Sequence, residues 1–194
     1  MEPTQVDKLG NRFEMAIEMA LRLHKSLVRK TREIPYLAHL LAVTALVLQD
    51  GGSEDEAIAA LLHDAPEDQG GIETLTLIQE KFGKNVFQIV EACSDTFDVP
   101  KPEWRPRKEA HLEEVKKASS SVHRVIAADK LHNARSLLRD LKEYGNLLWE
   151  KFNGGKEGSI WYLQSMHEIL TEKHPGYLTD ELGKVLKEIE NFAN

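Results

Sequence analysis

Apolar residues recur at three- and four-residue steps along most of this chain, the spacing of one face of an α-helix. Phe13, Ala16, Ile17, Ala20, Leu21 and His24 form such a face and predict an amphipathic first helix. Positions 36–48 are apolar nearly all round, the mark of a helix buried on every side. Asp50-Gly51-Gly52 ends that run. Ser53, with Glu56 three residues later, reads as a capping box opening a helix from Ala57 to about Asp64. Pro66 disfavours helical geometry at Ala65, so the chain is expected to turn out where Glu67 and Asp68 stand, aiming both carboxylates into a cleft. Gly70-Gly71 breaks the chain again, and helices are predicted over 72–82 and 84–96, parted at Gly83. Thr96 to Pro106, with three prolines, is the one long connection. Helices follow at roughly 106–118, 122–143, 157–173 and 178–192, with a glycine-rich loop, Asn153 to Gly158, before the third. No run alternates with the period of two that strands require, and no internal repeat is visible. The pattern predicts an all-α bundle forming one domain over 1–194, its core at about 13–141 and C-terminal helices at 145–194 packed on it.

Composition narrows the class. The 194 residues are 41% hydrophobic and 29% charged, enough to build a real core without low-complexity tracts. No apolar stretch reaches the roughly 20 residues a membrane span needs. The N-terminus has no basic segment leading into an apolar one, so neither a signal peptide nor a membrane partner is expected. The single cysteine, Cys93, cannot close an internal disulfide, which fits a reducing cytoplasm. A net charge of −7 argues against a nucleic-acid binder. It leaves room for a phosphorylated small molecule drawn to a local basic cluster and a metal. Oligomeric state is not legible.

The informative residues are polar ones in apolar company. Asp129 shares a helix face with Val122, Val125, Ile126, Asn133, Ser136 and Leu137. An uncompensated polar group there costs roughly 2–7 kcal/mol, and a charge more. His39 lies inside Tyr36-Leu37-Ala38-His39-Leu40-Leu41, and His63-Asp64 ends an apolar helix just before Glu67-Asp68. Taken singly, each has a plain structural reading: a buried ion pair or cap for Asp129, a hydrogen-bonded core histidine for His39, a favourable helix terminus for His63. Together they are two imidazoles and two carboxylates, a set suited to an octahedral divalent cation with open positions. Mn²⁺ is the first choice, ahead of Fe²⁺, Co²⁺ and Mg²⁺. A thiolate-bound zinc is excluded by the position of the only cysteine.

The order His39, His63-Asp64, Asp129 resembles the ligand signature of HD-domain metal-dependent phosphohydrolases. Flanking residues narrow the resemblance to the hydrolase half of the RelA/SpoT proteins and the stand-alone small alarmone hydrolases. They are Arg29-Lys30 before Pro35-Tyr36, Ala60-Leu61-Leu62-His63-Asp64 with Glu67-Asp68, Phe82-Gly83, Arg107-Lys108-Glu109, and Ala128-Asp129-Lys130-Leu131-His132-Asn133-Ala134-Arg135-Ser136. The resemblance runs from about Phe13 to Leu141. It implies an HD-domain bundle with a buried mononuclear site held by His39, His63, Asp64 and Asp129; His111, His123, His132 and His167 do not match a dinuclear pattern. It further implies removal of the 3′-pyrophosphate of guanosine tetra- or pentaphosphate to give GDP or GTP. Glu67 and Asp68 would then position the attacking water and take its proton. Asn133 and Ser136 would contact ribose or phosphate, Arg29 would stack on the base, and Lys30, Lys130 and Arg135 would neutralise phosphate charge. Trp104 is expected to pin the 96–106 connection, and Trp149, Trp161 and Tyr162 to pack in the core. Two rivals share these residues: a phosphohydrolase of another nucleotide (a nucleoside monophosphate, a deoxynucleotide or NADPH), and a nucleotide-binding regulator without turnover.

Overall fold

Ser53 begins the most completely buried helix of the protein. Its hydroxyl accepts from the Glu56 amide while the Glu56 carboxylate accepts from the Ser53 amide, so the capping box forms as the sequence predicts. In the computed structural model, residues 9–98 and 100–193 are described. Their elements are α1 Asn11–His24, α2 Leu37–Gln49, α3 Glu54–Leu62, α4 Ala65–Asp68, α5 Gly71–Phe82, α6 Lys84–Cys93, α7 Trp104–Val115, α8 Ser120–Tyr144, a 3₁₀ turn Gly145–Lys151, α9 Gly155–Lys173 and α10 Tyr177–Ala193. No strand occurs among the described residues beyond an isolated bridge between Val28 and Pro35. The fold is all-α, as the periodicity predicts.

The long helix α8 is the axis. α2, α3, α6, α9 and α10 all pack against it, and α1 and α2 also close on α3. Ala57 through Leu62 of α3 are inaccessible to solvent, so His63 follows from a segment with no freedom to shift. α2 meets α3 through a tight turn at Gly51-Gly52, with Gly51 at φ +78°. This turn sets His39 of α2 against the end of α3. No helix among the described residues is long and apolar enough to cross a membrane.

Several expectations need correction. Ile17 and Leu21 of α1 are 37% and 49% exposed; the buried face is Ala16, Met19, Ala20 and His24, turned one position from the predicted stripe. α3 opens at Glu54, directly after its cap, rather than at Ala57. Pro66 starts helical structure instead of ending it: it lies in the first turn of the one-turn helix α4, where its missing N–H has no intrahelical acceptor to lose. For the same reason Pro106 falls inside α7, which begins at Trp104. α6 ends at Cys93 rather than 96, α7 at Val115 rather than 118, and Ser119 caps α8 two residues earlier than predicted.

Candidate metal centre

His39 from α2, His63 after α3 and Asp129 from α8 are each under 7% exposed, and their ligand atoms all lie within 4.8 Å of one another. Asp64, the fourth residue expected from sequence, lies beside this group of three. Its Oδ2 lies 3.4 Å from His39 Nε2 and 3.1 Å from His63 Nε2, and Asp129 Oδ1 lies 3.3 and 3.6 Å from the same two nitrogens. None of these approaches has hydrogen-bond geometry, so both buried Nε2 atoms are left without a hydrogen-bond partner. Orphaned buried nitrogens facing carboxylates carry a penalty that a cation between them removes.

The far sides of the rings are fixed. His63 Nδ1 is 2.9 Å from the Ala60 carbonyl oxygen, which can only accept, so Nδ1 carries the proton and Nε2 presents a lone pair. His39 Nδ1 meets His132 Nδ1 at 2.7 Å, one nitrogen donating to the other. A ligating His39 donates there, and His132 accepts. Burial and the neighbouring His39 push the His132 imidazolium down to about 4, which keeps that acceptor neutral. Tyr36 donates its hydroxyl to Asp64 Oδ2 at 2.6 Å. On Asp129, Oδ2 is held by Lys130 Nζ at 2.7 Å, while Asn133 Nδ2 donates to Oδ1.

The electrostatics call for positive charge at this spot. Burial penalises the Asp64 and Asp129 carboxylates, yet His63 beside Asp64 and Lys130 beside Asp129 outweigh it and hold both well below the usual range. Burial likewise works against a charged His63, and Asp64 overrides it, lifting the imidazolium well above its ordinary value. Protons on the imidazoles and a divalent cation compete for one role. The donor set of imidazole nitrogens and carboxylate oxygens suits a divalent ion.

The other candidate residues divide. Arg29 reaches the centre: Nη2 donates to Asn133 Oδ1 at 2.7 Å and its guanidinium lies 5.5 Å from the Tyr36 ring centroid. The loop that carries it is anchored on α8 by Thr31 and Arg32, which both bind Asp140. Lys30 is exposed in the same loop. Ser136 is half-buried two turns beyond Asp129 on α8. Lys130 is committed to Asp129 rather than open to a ligand. Arg135 binds Glu181 of α10 at 3.1 Å, on the face of α8 that packs against the C-terminal helix; the structure does not bring it to the centre. Glu67 and Asp68 stand on α4, within the electrostatic reach of Asp95 and Asp64 respectively. Arg107 and Lys108 both bind Asp95, so they pin the connection before α7. Trp104 packs on Gly154 and Gly158 and edges Trp161, the pinning role expected of it.

Four neighbours were not singled out from sequence. Tyr36 and His132 sit inside quoted motifs but gave no sign of which ligand each would hold. Asp95 lies in a loop, where an aspartate is unremarkable. His24 reads as part of an apolar face, yet it stacks on Tyr36 at 5.6 Å with its Nε2 buried and unpartnered. Among the other histidines, His111 binds Tyr162 and His123 the Val115 carbonyl, so neither extends the group toward a second ion.

A family model for the HD domain matches residues 16–159. The chain is 39% identical over 127 residues to guanosine-3′,5′-bis(diphosphate) 3′-pyrophosphohydrolase MESH1 of Xenopus tropicalis, covering 64% of this chain and 68% of that protein. It is 33% identical over 132 residues to the bifunctional (p)ppGpp synthase/hydrolase SpoT of Escherichia coli (strain K12), covering 65% of this chain but 18% of that protein. A solved structure described as a metazoan ortholog of SpoT that hydrolyzes ppGpp superposes with a TM-score of 0.76 over 95% of this chain and 98% of that one; at 23% identity the likeness is one of fold. The structure of lmo0812 from Listeria monocytogenes EGD-e matches with a TM-score of 0.69 at 28% identity, covering 79% of this chain and 99% of that one. With a buried His/His/Asp group able to hold a divalent metal at its centre, the chain belongs to the HD-domain family, whose fold supports metal-dependent phosphohydrolase activity.

Proposed function

We propose that the protein hydrolyses the 3′-pyrophosphate of guanosine tetra- or pentaphosphate, releasing pyrophosphate and GDP or GTP. The observation that carries the hydrolytic reading is the pair of buried, unpartnered imidazole nitrogens set against Asp64 and Asp129. The named activity of the MESH1 and SpoT relatives supports the choice of substrate. His39, His63, Asp64 and Asp129 would hold one ion, with Mn²⁺ the first choice. When bound, that ion supplies Lewis acidity toward a phosphate oxygen and toward water. The rest falls to this chain's own residues. Arg29, held by Asn133 and placed over Tyr36, offers a flat cationic surface to a purine at the rim. Lys30 and Ser136 are the remaining candidates for phosphate and ribose. Lys130, a further candidate for neutralising phosphate charge, holds the Asp129 carboxylate. Glu67 and Asp68 form the acid–base pair beside the centre.

A substrate panel tests this reading. With Mn²⁺ supplied, guanosine tetraphosphate should be turned over with kcat/KM at least about tenfold above that for a nucleoside monophosphate, a deoxynucleotide or NADPH, a margin of about 1.4 kcal/mol. A higher kcat/KM on NADPH or a monophosphate would keep the hydrolase and discard the alarmone. Binding without turnover of any of them would favour the regulator.

A further inference from the structure

Asp140 is a buried carboxylate outside the metal centre. It stands on α8 with its side chain 2% exposed. Its Oδ1 accepts from Arg32 Nε at 2.7 Å and from Arg139 Nε at 2.9 Å, and its Oδ2 accepts from the Thr31 hydroxyl. Arg32 also binds Glu143 and lies over the Tyr144 ring, 5.5 Å from its centroid. Thr31 and Arg32 belong to the loop between α1 and α2, so these bonds tie that loop to the C-terminal half of α8.

The loop is short and closed on itself. The Arg29 amide donates to the Ile34 carbonyl at 3.0 Å, the Arg32 amide to the Arg29 carbonyl at 3.2 Å, and the Tyr36 amide to the Leu27 carbonyl at 2.9 Å. Arg29 therefore moves with Thr31 and Arg32. Its guanidinium donates to Asn133 Oδ1, and Asn133 Nδ2 donates to Asp129 Oδ1. At 3.6 residues per turn, Asp129, Asn133 and Asp140 fall within about 40° of one another around α8, with about 16 Å of axial rise from the first to the last. One helix thus carries a metal-ligand candidate, the clasp of Arg29 and the anchor of the loop that bears Arg29.

We propose that Asp140 is a positioning residue for substrate binding: by holding Thr31 and Arg32 it fixes where Arg29 stands relative to the metal centre. The inference rests on the reading above, in which Arg29 meets the base, and adds what keeps it there. An arginine on a loose loop loses rotamer freedom when it takes up a ligand; one already held by its loop and by Asn133 has lost that freedom beforehand. The base is remote from the reacting phosphorus, so this preorganisation favours bound substrate and transition state alike. Its removal raises KM and leaves kcat in place.

Steady-state kinetics on guanosine tetraphosphate with Mn²⁺ supplied, for wild type, Asp140→Asn, Arg29→Ala and the double variant, test the proposal. Asp140→Asn keeps an acceptor for Thr31 and removes the charge that holds Arg32. It should raise KM by about tenfold, with kcat and Mn²⁺ affinity within about twofold of wild type. In the Arg29→Ala background the same substitution should change KM by less than about twofold, because the side chain it positions is gone. An unchanged KM in Asp140→Asn, an equal rise on both backgrounds, or a loss of kcat or Mn²⁺ affinity overturns the proposal. Should Asp140→Asn not fold, Arg32→Gln, at a site 22% exposed, carries the same expectations from the loop side. A wild type inert toward guanosine tetraphosphate overturns the substrate reading instead, and crystal structures then decide the positioning role. The Arg29–Asn133 hydrogen bond should be present in wild type and lost in the variant; its persistence there overturns the proposal.

Discussion

Each metal-ligand candidate is held by a partner: the two imidazoles on their far nitrogens, Asp64 on Oδ2 and Asp129 on both carboxylate oxygens. Ala60 O and His132 act on the two imidazoles, Tyr36 on Asp64, and Lys130 with Asn133 on Asp129. Removing such a partner commonly costs about 10–100-fold in metal affinity. His132→Ala should therefore weaken Mn²⁺ binding by about that factor, measured by competition with a fluorescent chelator; unchanged affinity would show that His39 orients itself. Metal and protons also compete, because Asp64 and Asp129 favour a charged His63 against the cost of its burial. Deprotonation frees Nε2, so affinity should tighten as pH rises, by about tenfold per pH unit for each proton displaced. Calorimetric titration with Mn²⁺ between about pH 6 and 8 checks the sign; a flat profile contradicts it. His39, His63 and Asp129 were legible because a polar letter in an apolar run is improbable without a partner. Tyr36, His132 and Asp95 were not, because their significance lies in which atom they touch, and only tertiary packing decides that.

At the scale of elements, the centre depends on how α2 is set against α3. Gly52 joins them, and a Cβ there would lie 2.5 Å from Val47 Cγ1 and 2.8 Å from the Val47 carbonyl oxygen. That oxygen also accepts from the Gly52 amide at 2.9 Å, so the backbone has little room to yield. Gly52→Ala should cost about 1–3 kcal/mol in urea unfolding and weaken metal binding, since the turn fixes the spacing of His39 and His63. Loss of stability with unchanged metal affinity would mean that the helices are set by α8 alone. The helices themselves were visible in their periodicity. Pro66 reads as a stop and Pro106 as a helix start, yet both lie inside a first turn, of α4 and α7, where the missing N–H takes nothing from the helix. The buried stripe of α1 was misjudged because Ile17 and Leu21 are apolar yet lie on the side that no described element covers.

For the whole molecule, the all-helical class followed from the absence of period-two alternation, whereas the packing of α9 and α10 on α8 could not be read from two amphipathic segments without knowing their partner faces. The packing of α9 against α7 buries His111, which binds Tyr162 of α9. Burial, with help from Lys130 and Lys108, pushes its imidazolium down to about 4. The unfolded chain takes up the proton near the ordinary value of about 6.5, so His111 favours the folded state fully above that pH and less as pH falls toward 4. The stability advantage of wild type over His111→Gln should shrink by up to about 3 kcal/mol between pH 7 and 4; comparing the two proteins cancels the opposite trend of His63. A constant difference across that range would contradict the buried neutral histidine.

The central claim is that one divalent cation, held by residues from α2, the end of α3 and α8, drives phosphate hydrolysis. Metal content and turnover of guanosine tetraphosphate, measured on the same preparations of wild type and Asp129→Ala, test it most directly. The account predicts one Mn²⁺ per wild-type chain with release of GDP and pyrophosphate, and neither metal nor turnover in a variant that stays helical by circular dichroism. A folded Asp129→Ala protein that keeps stoichiometric metal and a normal rate would contradict it.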